Sequence, residues 1–146
     1  MTVEQNVPIV PDQQLARKRV LIIDDEPSFT RMVRLNLEKT GMFEVREENR
    51  ATGAVNTARD FKPDLILLDV IMPTMDGGDV AAQIQNDRHL KGTPIIFLTA
   101  TVSQREAGPS GMLNSGGCIF LAKPVSLEAL VKVINESIPK PTDPEI

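Results

Sequence analysis

Five short apolar runs, separated by longer stretches with helical spacing, constrain this chain more than any other feature. The runs are RVLIID (19–24), FEVRE (43–47), DLILLD (64–69), PIIFLT (94–99) and CIFLA (118–122). Three of them are nearly continuous in apolar residues, the pattern of strands covered on both faces of a parallel sheet. The second alternates, with Phe43, Val45 and Glu47 on one face, and suits a sheet edge. Pro27 opens a first helix in which Phe29, Met32, Val33 and Leu37 keep helical spacing, and Gly41 can close it in a left-handed conformation. Ala51, Ala54, Val55 and Ala58 share one face of a second, and a third starts around Asp76–Gly77 with Val80 and Ile84 four apart. Ser126 suits the N-cap of the last, which carries Leu127, Leu130, Val131, Ile134 and Ile138 and stops at Pro139. The stretch after the fourth run is poor helix material because Gly108, Pro109 and Gly111 interrupt it. A short or distorted helix is expected there, around 102–107 or 110–115. Strands alternating with helices predict right-handed βαβ crossovers and a parallel sheet with helices on both faces.

The bulk numbers narrow the class. With 146 residues, 41% apolar and 25% charged, the chain suits one soluble domain with a real core. A net charge of −4 argues against a nucleic-acid-binding domain. The one basic cluster, Arg17, Lys18 and Arg19, reads as a solvated strand entrance in preference to a contact for nucleic acid or acidic lipid. A single cysteine, Cys118, excludes an intrachain disulfide, and its apolar neighbours make it a buried strand residue. No run approaches the roughly 18 apolar residues of a membrane span, and the N-terminus lacks a secretory stretch; a cytoplasmic protein is expected. Residues 1–16, punctuated by Pro8 and Pro11, read as a flexible extension, residues 17–138 as the domain, and 139–146 (PKPTDPEI) as a flexible tail. With so short a tail, no output or DNA-binding domain is expected after residue 138.

Ligands of such sheets sit beyond the carboxyl ends of the strands. The first run ends in Asp24 and Asp25, the third in Asp69, the fourth in Thr99, and the fifth is followed by Lys123 and Pro124. A parallel arrangement gathers all of them on one rim. Adjacent carboxylates about 4 Å apart repel by roughly 4 kcal/mol at an effective dielectric of about 20, so a divalent cation and Lys123 are expected to offset them. Mg²⁺ takes oxygen ligands, commonly one or two carboxylates together with phosphate oxygens. A carboxylate can attack phosphorus to give an aspartyl phosphate. A metal and a lysine can neutralise the transferring group, and a threonine hydroxyl can hydrogen-bond the bound phosphate. Taken singly, Asp24 or Asp25 can serve as a turn residue or cap, Asp69 as a cap of the following loop, Thr99 as a strand residue and Lys123 as a solvated cation. Those readings do not explain why these residue types fall at matching strand ends.

Taken together, IIDDEP, LILLDVIMPTMDG, FLTA and LAKP resemble the receiver domain of two-component response regulators, over roughly residues 18–138. The resemblance implies a doubly wound five-stranded parallel sheet of order 2-1-3-4-5. It makes Asp69 the phosphoacceptor, with Mg²⁺ (or Mn²⁺) held by Asp24, Asp25, Asp69 and the backbone carbonyl of Ile71. Thr99 would be the switch hydroxyl, Lys123 the phosphate-contacting ammonium and Phe120 the switch aromatic, while small Ala100 leaves the site accessible. It further implies a phosphoacceptor that assists its own phosphorylation and dephosphorylation, not a turnover enzyme. The donor would be a histidine kinase or phosphotransfer protein, and the downstream protein would meet the face of the fourth helix, fifth strand and fifth helix. Phe120 stands where many relatives carry Tyr. Ile71 is apolar where some place a polar residue near the incoming water, which predicts slower hydrolysis of the acyl phosphate. The broken segment AGPSGMLNSGG lies where receivers build much of their partner surface. An aspartate-nucleophile phosphatase is the enzyme alternative, but its usual second acid would fall at Ile71. A receiver-like binding module that takes no phosphate is the other alternative, and the complete acid, threonine and lysine set argues against it. His89, in NDRHLKG, reads as a solvated helix-end residue and not a phosphohistidine.

Overall fold

The computed structural model describes residues 17–100, 112–115 and 118–138. Its sheet is built from β1 (Lys18–Ile23), β2 (Phe43–Glu48), β3 (Leu65–Asp69), β4 (Ile95–Thr99), β5 (Met112–Ser115) and β6 (Cys118–Ala122), in the order β2-β1-β3-β4-β6-β5. The five strands anticipated from the apolar runs are present, each end within a residue of its expected position, and they pair in parallel in the expected 2-1-3-4-5 order. The five-stranded expectation needs one correction. A sixth strand, β5, pairs antiparallel with β6 and forms that edge of the sheet. It occupies most of the 110–115 stretch offered above as one place for a distorted fourth helix, so that placement is wrong; the other, 102–107, lies outside the described residues.

Side chains alternate across each strand, so the parallel strands other than the edge strand β2 feed two cores. Val20, Ile22, Leu67, Leu98 and Leu121 face α1 (Pro27–Lys39) and α4 (Leu127–Ser137), meeting Val33, Leu37, Leu130 and Ile134. Leu21, Ile23, Leu68 and Phe97 face α2 (Ala54–Phe61) and α3 (Gly77–Asn86), meeting Ala58, Phe61, Val80 and Ile84. On the β2 edge, Phe43 and Val45 are buried while Glu44 and Arg46 face solvent. The helices begin and end where the local chemistry dictates. Pro27 occupies the first turn of α1, and Gly41 takes φ +79° just past its end. The Asp76 carboxylate accepts from the Asp79 amide at 2.9 Å to start α3, and the Ser126 hydroxyl accepts from the Ala129 amide at 3.1 Å to start α4. Met32 and Leu127, counted with the apolar spacing in sequence, are exposed instead. The strand register sets the functional rim: Asp69 lies opposite Leu98 and Thr99 opposite Ala122, so the residues that follow emerge side by side.

Candidate functional site

Strand pairing continues one residue past β1. The Asp24 amide donates to the Glu48 carbonyl at 3.1 Å, and Asp24 is fully buried. Its Oδ1 accepts from the Glu26 amide at 3.0 Å, and its Oδ2 accepts from Lys123 Nζ at 2.7 Å. Asp69 closes β3 with 6% exposure, and Lys123 Nζ lies 3.3 Å from its Oδ1. Asp25 is the most open of the acids; one oxygen from each of Asp24, Asp25 and Asp69 lies within 4.8 Å of the others. Lys123 is aimed by its own backbone, whose N–H donates to the Thr99 carbonyl at 2.9 Å, and its ammonium also stands 4.4 Å over the Phe29 ring. The loop after Asp69 is closed by the Gly77 amide on the Val70 carbonyl at 2.7 Å. Only glycine fits there, because a Cβ at residue 77 would overlap the Asp69 carbonyl oxygen and sit 2.8 Å from the Val70 Cα.

Burial, and next the charge of Asp24, push the Asp69 carboxyl above its ordinary value of 3.8, with Lys123 pulling the other way. Burial alone would lower the Lys123 ammonium, but the hydrogen bond and charge of Asp24, and then Asp69, hold it above its usual value. When all are ionised, three carboxylates against one ammonium leave two negative charges facing one point. A hard divalent ion fits that set: every donor is an oxygen, and the surplus charge matches its own. A recess of about 180 Å³ opens beside Asp25, walled by Asn49, Ala51, Met72, Pro73 and Thr74. At about 30 Å³ per water, that is space for several waters.

The structure therefore brings together Asp24, Asp25, Asp69 and Lys123, as the strand-end argument anticipated. It also ties Lys123 more closely to Asp24 than to Asp69, which the sequence did not disclose. Thr99 is buried at the end of β4, 1% exposed. Ile71 turns its side chain to solvent, 61% exposed, directly after the Asp69–Val70 pair. Phe120 is half-buried and stacks on Phe97, with ring centroids 5.0 Å apart and planes 19° from parallel. Arg19 is not simply solvated: its Nε donates to the Lys62 carbonyl at 3.1 Å and its guanidinium faces the Phe61 ring. His89 is exposed, as its polar surroundings suggested, but it lies in the turn beyond α3 and not in the helix end.

Thr30 and Asn49 went unnoticed in sequence, and Glu47 was read only as a strand residue, yet the three stand directly behind the acid pair. Asn49 donates from Nδ2 to the Asp24 carbonyl at 2.8 Å and to Thr30 Oγ1 at 3.0 Å, and Thr30 donates to Glu47 Oε1 at 2.7 Å. One signal was present: Thr30 sits three and seven residues before Val33 and Leu37, on the buried stripe of α1.

A doubly wound sheet with a cation-fitting acid cluster and an ammonium at its carboxyl rim defines a class of α/β module that handles charged ligands at the switch edge. The chain belongs to the response regulator receiver domain family, whose model matches residues 20–135. The chain is a signalling domain of two-component systems by that membership. It is 34% identical over 117 residues to Protein PilH of Pseudomonas aeruginosa, an alignment covering 80% of this chain and 94% of PilH. It is 33% identical to the DNA-binding response regulator MtrA of Mycolicibacterium smegmatis, covering 79% of this chain and 48% of MtrA. Among solved structures, the chemotaxis protein CheY4 of Vibrio cholerae superposes with a TM-score of 0.70 at 30% identity, covering 84% of this chain and 99% of that one. Among the described residues, no helix is long and apolar enough to cross a membrane.

Proposed function

We propose that this chain is a cytoplasmic phosphorylation switch. A histidine kinase or phosphotransfer protein donates a phosphoryl group to Asp69 with Mg²⁺ or Mn²⁺ present, and the modified domain signals by protein contact or passes the group onward. The observation that carries this reading is the convergence of Asp24, Asp25 and Asp69 around one point with Lys123 bound among them. Asp24, Asp25, Asp69 and the Ile71 carbonyl are the ligands assigned to the cation, which when bound supplies positive charge to the phosphoryl oxygens.

Asp69 attacks phosphorus through one carboxylate oxygen while the bond from phosphorus to the donor imidazole nitrogen breaks. The electron pair leaves with that nitrogen, which takes a proton from solvent. The Lys123 ammonium, 3.3 Å from Asp69 Oδ1, then donates to a phosphoryl oxygen. The Thr99 hydroxyl takes a second phosphoryl oxygen, and its movement shifts the domain between two populated states. Phe120, stacked on Phe97, is the ring assigned to follow it, and the surface of β6 and α4 is the face that carries the change to the downstream protein.

Acetyl phosphate with Mg²⁺ tests the chemistry without a cognate kinase. Intact-mass spectrometry is expected to show one added phosphoryl group, abolished by a chelator and by Asp69→Asn. Labelling that persists in Asp69→Asn would overturn the assignment. Saturable Mg²⁺ binding without any labelling would favour the module that takes no phosphate.

A further inference from the structure

A polar chain runs from the outer face of α1 to the back of the acid pair. Arg34 Nη1 donates to Glu47 Oε2 at 3.0 Å, and Thr30 Oγ1 donates to Glu47 Oε1 at 2.7 Å. Asn49 Nδ2 then reaches both Thr30 Oγ1 at 3.0 Å and the Asp24 carbonyl at 2.8 Å. Thr30 is fully buried and the Glu47 side chain is 16% exposed, so water has poor access to replace these partners.

Chemistry fixes the direction of the chain. A carboxylate only accepts, so the single Thr30 proton points to Glu47, with a longer approach to the Pro27 carbonyl at 3.1 Å. The Thr30 oxygen is then an acceptor, as is the Asp24 carbonyl. The Asn49 atom facing both must be the amide nitrogen, since its oxygen there would set acceptors against one another.

The end of the chain is the peptide joining the two acids. Asp24 donates its N–H to the Glu48 carbonyl at 3.1 Å and its C=O accepts from Asn49, so consecutive residues at the end of β2 hold both backbone groups of the buried acid. The carbonyl of Asp24 belongs to the Asp24–Asp25 peptide plane and therefore also sets where Asp25 points. Two like charges left to themselves would turn apart. Asn49 also forms one wall of the recess beside Asp25.

We propose that Asn49 is a positioning residue for the cation seat: backed by Thr30 and Glu47, it fixes the Asp24–Asp25 peptide so that both carboxylates face one point before any ion arrives. This rests on reading the acid cluster as a cation seat, and the test separates the two. Mg²⁺ is titrated into the full chain at fixed ionic strength with backbone amide shifts as the readout, and thermal unfolding is followed on the same samples. If wild type shows no saturable shift, the seat itself fails and the positioning role with it. Where wild type binds, Asn49→Ala is expected to weaken Mg²⁺ about tenfold, the scale of losing outer support around a metal ligand. Thr30→Val weakens it less, and Thr30→Ser, which keeps the hydroxyl, binds as wild type does. In the metal-free protein the Glu26 amide, which donates to Asp24 Oδ1, exchanges faster in Asn49→Ala. A folded Asn49→Ala that binds Mg²⁺ as tightly as wild type overturns the proposal however far its Tm falls, because a merely structural amide would move Tm alone. Should that variant not fold, Thr30→Val decides by the same measurement, and an unchanged affinity overturns the proposal.

Discussion

Replacing the phosphoacceptor by its neutral isostere should make the metal-free protein more stable. Oxygens of Asp24 and Asp25 lie within 4.8 Å of one on Asp69. At that separation and an effective dielectric near 20, each pair repels by about 3.5 kcal/mol. Lys123, 3.3 Å away, returns about 5 kcal/mol on the same scale. The two repulsions exceed the single attraction by about 2 kcal/mol, and solvent screening of the more open Asp25 brings the expected gain of Asp69→Asn to about 1 kcal/mol. The chain has no Trp or Tyr, so urea unfolding is best followed by far-ultraviolet circular dichroism, with a chelator present. A gain of that size raises the urea midpoint by about half a molar. The sign follows from proton binding. The folded state holds the Asp69 proton more tightly than the unfolded chain, so this group favours folding at low pH, and that support is lost as pH rises from 3.8 through the raised folded value. The advantage of Asp69→Asn should open across that window and close at its acid end. Mg²⁺ at a hundredfold excess over its dissociation constant adds about 2.7 kcal/mol to wild type and should reverse the order. A wild-type protein at least as stable as Asp69→Asn, metal-free at neutral pH, would refute the claim that the pocket is under net repulsion.

Three other perturbations probe neighbouring features. Lys123→Met strips the buried Asp24 of its ammonium and is expected to cost about 3 kcal/mol without metal, while Mg²⁺ binding tightens because a competing cation is gone; urea unfolding and a metal titration check the two halves. Gly77→Ala forces a methyl against the Asp69 carbonyl, which should cost about 2 kcal/mol in urea unfolding and slow acetyl phosphate labelling by displacing Asp69. Arg59 grips Asp87 Oδ2 through Nε at 2.6 Å, and that hydrogen bond holds the Asp87 carboxyl below its ordinary range. Its stabilisation is present above 3.8 and is lost as pH falls through the lowered folded value. Arg59→Ala should therefore lower Tm at neutral pH and flatten its decline into acid.

Continuous apolar runs such as LILL at 65–68 made the strands legible, because a strand buried on both faces leaves little choice of side chain. The cap at Ser126 was equally direct, and Asp76, placed in sequence only at the start of the third helix, caps it through its side chain. The rim acids could be placed because parallel pairing alone brings strand ends together. The edge strand β5 was missed because Gly108, Pro109 and Gly111 drew attention as helix breakers. The better signal lay just downstream, where Ser115 pairs with Cys118 and the two intervening residues are Gly116 and Gly117, a sequence suited to a two-residue hairpin connection. The Thr30–Asn49–Glu47 contacts were illegible for a different reason. They join a helix face to a strand end 17 and 19 residues away, and no local pattern records which polar side chains meet across such a gap. The preference of Lys123 for Asp24 is likewise a matter of angstroms, set by where the Thr99 carbonyl anchors its backbone.

The contact between Asp24 and Lys123 spans 99 positions of the chain. On a ribosome the acid emerges long before the ammonium that will neutralise it, so a nascent piece ending short of β6 would have to enclose a carboxylate with no counterion. Closing the central sheet around Asp24 is therefore favoured once the last strand has brought Lys123 to it, which couples the opening and closing segments of the domain energetically.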